Sequence, residues 1–146
     1  MLKHQVVMFI ANVLVGIALN PMNLLAFRIS DLYFSLTLLY GGLSMAANMI
    51  WSHEVINYVV NGKFNLWNFI IGLAMLAGII VLLRKQVAVN EPQYLRRMIS
   101  HHSTALTTSH HIYRLTKDKE VKKLAKDIIE TQEREIAQMR HMLARF

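Results

Sequence analysis

Residues 90–144 read NEPQYLRRMISHHSTALTTSHHIYRLTKDKEVKKLAKDIIETQEREIAQMRHMLA, and this stretch decides the fold. Asn90 stands where a helix wants a side-chain oxygen acceptor. Pro92 falls in the first turn, where its missing N–H costs nothing, and Gln93 occupies the capping-box position. The apolar spacing predicts a helix from Glu91 to about Leu115. Thr116, Lys117 and Asp118 make a turn, with Asp118 as the next N-cap, and a second helix follows to about Ala144. A three-residue turn makes the two helices an antiparallel hairpin.

Helical phase, 100° per residue, sorts the faces. Leu95, Met98, His102, Ala105, Leu106, Ser109 and Tyr113 share one side of the first helix, with His101 at its edge. Val121, Ala125, Ile128, Gln132, Ile136, Met139 and Leu143 share one side of the second, with Glu135 at its edge. Folding about residue 117 sets Met98 opposite Ile136 and Met139, and sets His101 and His102 opposite Gln132 and Glu135. Buried polar groups cost free energy unless they find partners, so a seam built only to pack would use Leu and Ile. This one carries two thioethers, two imidazoles and a carboxylate.

The chain outside the hairpin is of another kind. Before residue 84 stand three of the 16 basic residues (Lys3, Arg28, Lys63) and two of the 9 acidic ones (Asp31, Glu54). The excess of charge, like the net +7, is concentrated in the second half. Three apolar stretches fit bilayer crossings of roughly 20 residues: about 5–27, 32–51 and 64–83. Gly72, Ala74 and Gly78 in the third allow close helix packing. Trp51, Tyr58 and Trp67 fall near the expected ends, where amphipathic rings favour the headgroup zone. Asn20, Pro21 and Asn23 interrupt the first stretch, predicting a kink or a helix end there; it reads as a retained anchor rather than a cleaved leader. The expected organisation is a transmembrane domain at 1–83, a linker at 84–90 and a hairpin domain at 91–146, all α-helical.

Several chemistries are excluded by residue type or spacing. The absence of cysteine removes disulfides, thiolate metal sites and a cysteine nucleophile. No glutamate has a histidine three residues later, as a di-iron bundle site requires. Ser100–His101 and Ser109–His110 are neighbours in sequence and do not face each other on a helix. No phosphate loop, nucleophile elbow or zincin motif is present, and no nucleic-acid module is recognisable. The chain does not read as an enzyme. What remains is Met98 with His101 and His102 at i+3 and i+4, and Met139 approaching from the facing helix. Thioether with imidazole favours copper, Cu(I) in particular, over hard cations; the competing reading of the same residues is a packed seam with His102 bonded to Gln132 or Glu135. His110, His111, His141 and Met142 are secondary candidates, with His111 and His141 pointing away from the seam. Within the spans, Asn12 and Asn48 read as interhelical hydrogen-bonding groups. Met8, Met45, Met49 and Met75 read as packing residues or as a path for a soft ion.

Residues 94–142 also resemble domain-of-unknown-function family 305. The resemblance is carried by Tyr94-Leu95-Arg96-Arg97-Met98-Ile99-Ser100-His101-His102, by Ala105-Leu106, and by the spaced Val121, Leu124, Ala125, Ile128, Ile129, Gln132, Glu135, Ile136 and Met139. The layout of three spans and one hairpin is similar to a small bacterial membrane subgroup of that family. The resemblance implies a ferritin-like helical bundle, often associated with the cell envelope, with members implicated in copper binding. By position, Met98, His101, His102 and Met139 match the motif's would-be ligands, and Gln132 and Glu135 its polar companions. The sequence departs from the family at Ser100, where Pro is usual, and at His110 and His111, where charged residues are common.

Longer members resemble two hairpins in one four-helix bundle. One hairpin buries little surface, so a homo-oligomer pairing two hairpins is expected. The functional expectation is a membrane protein binding a soft metal ion, most simply copper, for storage, sensing or tolerance. The contending class is an accessory subunit of a membrane complex whose hairpin is a docking or dimerisation element. A third is a binder of anionic lipid surfaces through its basic faces. The charge count puts the hairpin on the cytoplasmic side of an inner or plasma membrane, whereas the resemblance implies the periplasmic side.

Overall fold

A computed structural model describes residues 2–146, with the side chains of Leu2 and His4 outside the description. The described residues are helical, with no strand. The helices are α1 (Leu2–Ala18), α2 (Pro21–Leu24), α3 (Leu36–Asn61), α4 (Leu66–Arg84), α5 (Glu91–Leu115) and α6 (Lys119–Leu143), with a single 3₁₀ turn at Ile29–Asp31 between α2 and α3. The chain divides into two compact units. One comprises residues 1–20 and 36–88, the other residues 21–35 and 89–146. The expected boundary was a single cut near residue 84. The structure instead assigns residues 21–35, which the sequence reading gave to two membrane spans and the turn between them, to the unit that contains the hairpin.

The first unit is α1, α3 and α4. Backbones approach closely at glycine: a Cβ on Gly42 would lie 2.8 Å from the Val13 carbonyl oxygen, and one on Gly72 would lie 2.7 Å from the Trp51 nitrogen. Small residues at such crossings let two backbones approach closely enough for dispersion contacts. Gly78, expected to serve the same purpose, faces open space, and Ala74 is exposed. The core of this unit is Tyr40, Ala47 and Ile79, flanked by Leu43, Met75 and Leu83. Glu54 is buried near the end of α3. Its carboxylate accepts from the Asn65 backbone N–H at 3.1 Å and from Asn68 Nδ2 at 3.0 Å. Asn65 itself caps α4, so the carboxylate ties the end of α3 to the start of α4, and Asn57 Nδ2 donates to the Lys63 carbonyl across the same turn. Asn12 crosses from α1 to α3, donating to the Met8 carbonyl and to Met49 Sδ. Asn48 does not cross; it accepts from Trp51 Nε1 one turn along its own helix. After α4 the chain leaves through Gln86 and Ala88 in the left-handed region (φ +49° and +58°), and the Tyr40 hydroxyl donates to the Val87 carbonyl at 2.7 Å.

Two stretches among the described residues, Gln5–Leu24 and Leu66–Arg84, are long and apolar enough to cross a membrane. Only 6% and 11% of those windows is buried, whereas the core helix of a water-soluble protein is mostly buried. Leu32–Trp51 does not join them. Its helix starts only at Leu36 and runs on past Trp51 through His53, Glu54, Asn57 and Asn61. The first stretch is broken as its sequence implied: α1 ends at Ala18, ahead of Asn20-Pro21, and Pro21 opens α2.

The second unit is the hairpin with residues 21–35 laid against it. Asn90 accepts from the Gln93 N–H, and Asp118 accepts from the Glu120 and Val121 N–H groups, which are the two caps read from the sequence. The core is Leu95, Ile99, Leu106, Ile136 and Met139, with Tyr33, Met98, Ile129, Met142 and Leu143 packed on it. Ile99 is fully buried while Val121 is 40% exposed, so the buried arc differs from that of an isolated hairpin. The reason is the added segment, which covers a second side of α5 and takes Ser100 and Ser103 out of solvent.

Candidate metal centre in the helical hairpin

α5 and α6 run past each other so that His102 meets Glu135. His102 Nε2 lies 2.9 Å from Glu135 Oε2, and His102 Nδ1 lies 2.8 Å from the carbonyl oxygen of Met98, one turn back. Both neighbours are acceptors. In the imidazolium form both contacts are hydrogen bonds; in the neutral form with the proton on Nδ1, the carbonyl bond remains and Nε2 carries a free lone pair. A backbone carbonyl fixing one ring nitrogen is the usual outer contact of a metal-bound histidine, because it sets both tautomer and ring direction. Glu135 is the more exposed half of the pair, its side chain 42% exposed against 13% for His102.

The four residues proposed as ligands are distributed around this contact. Met98 is half-buried and Met139 is buried, and both belong to the same apolar cluster. His101 is exposed at the seam's edge, its ring centroid 6.0 Å from that of His102. Burial first, then the charges of Arg97 and His102, pulls its pKa below the ordinary histidine value. That favours the neutral ring a metal requires. Gln132 is half-buried on α6; of the two companions, Glu135 is the one in hydrogen-bond contact with His102. Among the described residues no three His, Cys, Asp or Glu side chains gather into a metal-holding group. A site on this seam therefore depends on its thioethers.

The secondary candidates are not gathered. His111 and His141 are exposed, and Met142 packs against the core. His110 stacks on Phe27 with ring centroids 4.7 Å apart and planes inclined by 12°. Its Nε2 is buried without a hydrogen-bond partner among the described residues.

The sequence reading missed the polar network beneath residues 21–35. Asp31 is fully buried. Its carboxylate accepts from Arg140 and from Ser103 Oγ, the latter at 2.7 Å, and its backbone carbonyl accepts from Ser100 Oγ at 2.8 Å. Ser103 Oγ also accepts from the Phe27 N–H at 2.8 Å, and Arg140 donates to Ser30 Oγ at 2.9 Å. An exposed pair, Arg28 with Glu133 at 3.1 Å, closes the edge. The available signal was Asp31 itself, one of two acidic residues in an apolar half, together with Ser100 and Ser103 at helical spacing.

The fold and site thus define a small all-helical protein with apolar helices ahead of a Met/His hairpin. Residues 73–144 match the model of DUF305, a domain of unknown function, and the chain belongs to that family. The match begins inside α4, upstream of the hairpin. An uncharacterised protein of Acanthamoeba polyphaga mimivirus is 36% identical over 139 residues, covering 93% of this chain and 88% of that one. The similarity therefore includes the apolar helices. No solved structure matches.

Proposed function

We propose that this is an integral membrane protein whose hairpin binds a soft metal ion, above all copper, for storage, sensing or tolerance. The observation that carries the reading is His102: its Nδ1 is held by the Met98 carbonyl, its Nε2 faces an exchangeable carboxylate, and Met98 and Met139 pack in the adjoining cluster. Imidazole with thioether is a soft donor set, suited to Cu(I) and poorly suited to magnesium or calcium. The residues fit the group: Met98, His102 and Met139 would hold it, with His101 beside them. A bound ion would supply soft, one-electron-active metal chemistry. The chain's own part is to keep His101 neutral, orient His102 through Met98, and present Glu135 as the group a metal must displace.

The membrane assignment rests on the two unburied apolar stretches. We place a third crossing in α3. It joins α4 through the four residues 62–65 and packs along it, so if α4 crosses, α3 returns beside it. The cost of Glu54 there is lowered by the two donors that satisfy its carboxylate. Homo-oligomerisation through the hairpin is supported by a patch at its turn end, where Ile112, Leu115, Val121 and Leu124 are all 40% exposed or more. The same patch supports the accessory-subunit reading, with a foreign partner in place of a second copy.

The experiment is Cu(I) titration of the purified full chain against a chelator of known affinity, beside Met98→Leu/His102→Leu. Loss of one copper equivalent per chain in the double variant is expected. Equal copper in both proteins, or none in either, overturns the metal reading. Stoichiometric co-purification with a larger complex then favours the accessory role.

A further inference from the structure

The first unit contains a cavity of about 300 Å³ whose walls include Gln5 and Met8 of α1, Met49, His53 and Glu54 of α3, and Asn68 of α4. The hairpin reading does not use it, and it lies outside the segment that matches the family model. Met49 and His53 are four residues apart on one helix and so share a face. Met8 reaches the same cavity from a different helix.

We propose that this cavity is a second soft-metal site, with Met8, Met49 and His53 as its ligands. The donor chemistry argues for the class of ion. Two thioethers and an imidazole set in largely apolar walls discriminate against hard cations, which need oxygen ligands and retain their water. Of the polar groups in the walls, Asn68 donates to Glu54. Each oxygen of Glu54 accepts one hydrogen bond, from Asn65 and from Asn68, which holds the carboxylate as a fixed negative charge on the cavity wall. Its Oε1 lies 3.8 Å from His53 Nδ1. At that distance there is no hydrogen bond, so neither ring nitrogen is committed and either can serve a metal. Asn12 donates to Met49 Sδ, which fixes the thioether while leaving its second lone pair. The buried negative charge of Glu54 offsets the charge of an entering monovalent cation.

The site stands on its own donors and does not require the hairpin to bind metal. The test is Ag(I) titration of the full chain in detergent, with Ag(I) as the redox-silent probe, against a competing chelator. Four proteins are compared: wild type, Met98→Leu/His102→Leu, Met49→Leu/His53→Leu, and the quadruple variant. The Met98→Leu/His102→Leu protein is expected to retain one equivalent that the quadruple variant lacks. Retention of that equivalent by a wild type that binds only one would uphold this site while removing the hairpin reading. Unchanged stoichiometry in Met49→Leu/His53→Leu, or no silver in Met98→Leu/His102→Leu, overturns the proposal. If Met49→Leu/His53→Leu fails to fold, as judged by helix content, Met8→Leu replaces it. A second readout is peroxide oxidation of Met8 and Met49 by mass spectrometry. Silver is expected to protect both in the wild type; equal oxidation with and without silver overturns the assignment.

Discussion

His102 is held at both ring nitrogens, and the two contacts differ in kind. The Met98 carbonyl belongs to the helix backbone and cannot leave, whereas Glu135 sits on a half-exposed side chain and can. A ring fixed on one side and exchangeable on the other is suited to reversible capture of a cation. Its neighbour His101 titrates below the ordinary histidine value, by burial first and then by repulsion from Arg97 and His102. The fold therefore favours neutral His101. The stability this contributes is present above the unfolded value of about 6.5, begins to be lost as pH falls below it, and is gone below the lower folded pKa. Replacing Arg97 by Gln removes one repulsion and leaves the burial. The His101 midpoint, read by NMR, is expected to rise in R97Q without fully reaching that of a free histidine. An unchanged midpoint would show that Arg97 does not act on His101.

At the scale of elements, the contact between residues 21–35 and α5–α6 is an ion pair of fully buried Asp31 with part-exposed Arg140, with serine hydroxyls on its flanks. Removing Arg140 leaves the Asp31 carboxylate buried with a serine donor, at a cost below the roughly 3–5 kcal/mol of a fully buried pair because solvent reaches Arg140, whereas replacing both with apolar groups can be nearly neutral. Arg140→Met is thus expected to accelerate amide hydrogen exchange across residues 21–35, and adding Asp31→Leu is expected to restore part of the protection. Unaltered exchange in R140M would show that the segment is held by its apolar contacts alone.

This contact also marks where the sequence stopped being legible. Helix caps at Asn90 and Asp118 are local signals, and α5 and α6 begin where those residues place them. The meeting of His102 with Glu135 followed from phase and turn position. Residues 21–35 have no such signal. Met22 to Phe27 is apolar enough to extend a span, and only the three-dimensional partners of the segment as a whole, Ser100, Ser103 and Arg140 at separations of 69 residues or more, assign it to the hairpin. Ile99 entered the core for the same reason. The cavity of α1, α3 and α4 was legible only as scattered methionines, since nothing in the sequence shows which of Met8, Met45, Met49 and Met75 share a space.

For the whole molecule, three crossings would place residue 63 and the hairpin on opposite faces of the membrane, because α4 lies between them. The chain has no cysteine, so single reporters are clean. Lys63→Cys and Arg145→Cys in intact vesicles are expected to react with an impermeant thiol reagent from opposite sides. Labelling of both from one side would remove α4 as a crossing, and with it the return through α3. The central claim is that the hairpin seam coordinates a soft ion through sulfur and nitrogen together. It is tested most directly by copper-edge X-ray absorption of Cu(I)-loaded Met49→Leu/His53→Leu protein, in which the seam is the site that remains. The predicted result is one equivalent of copper coordinated by sulfur and imidazole nitrogen together, with less sulfur in M98L and none when Met139→Leu is added. Copper bound only by oxygen and nitrogen, or no stoichiometric copper, would contradict it.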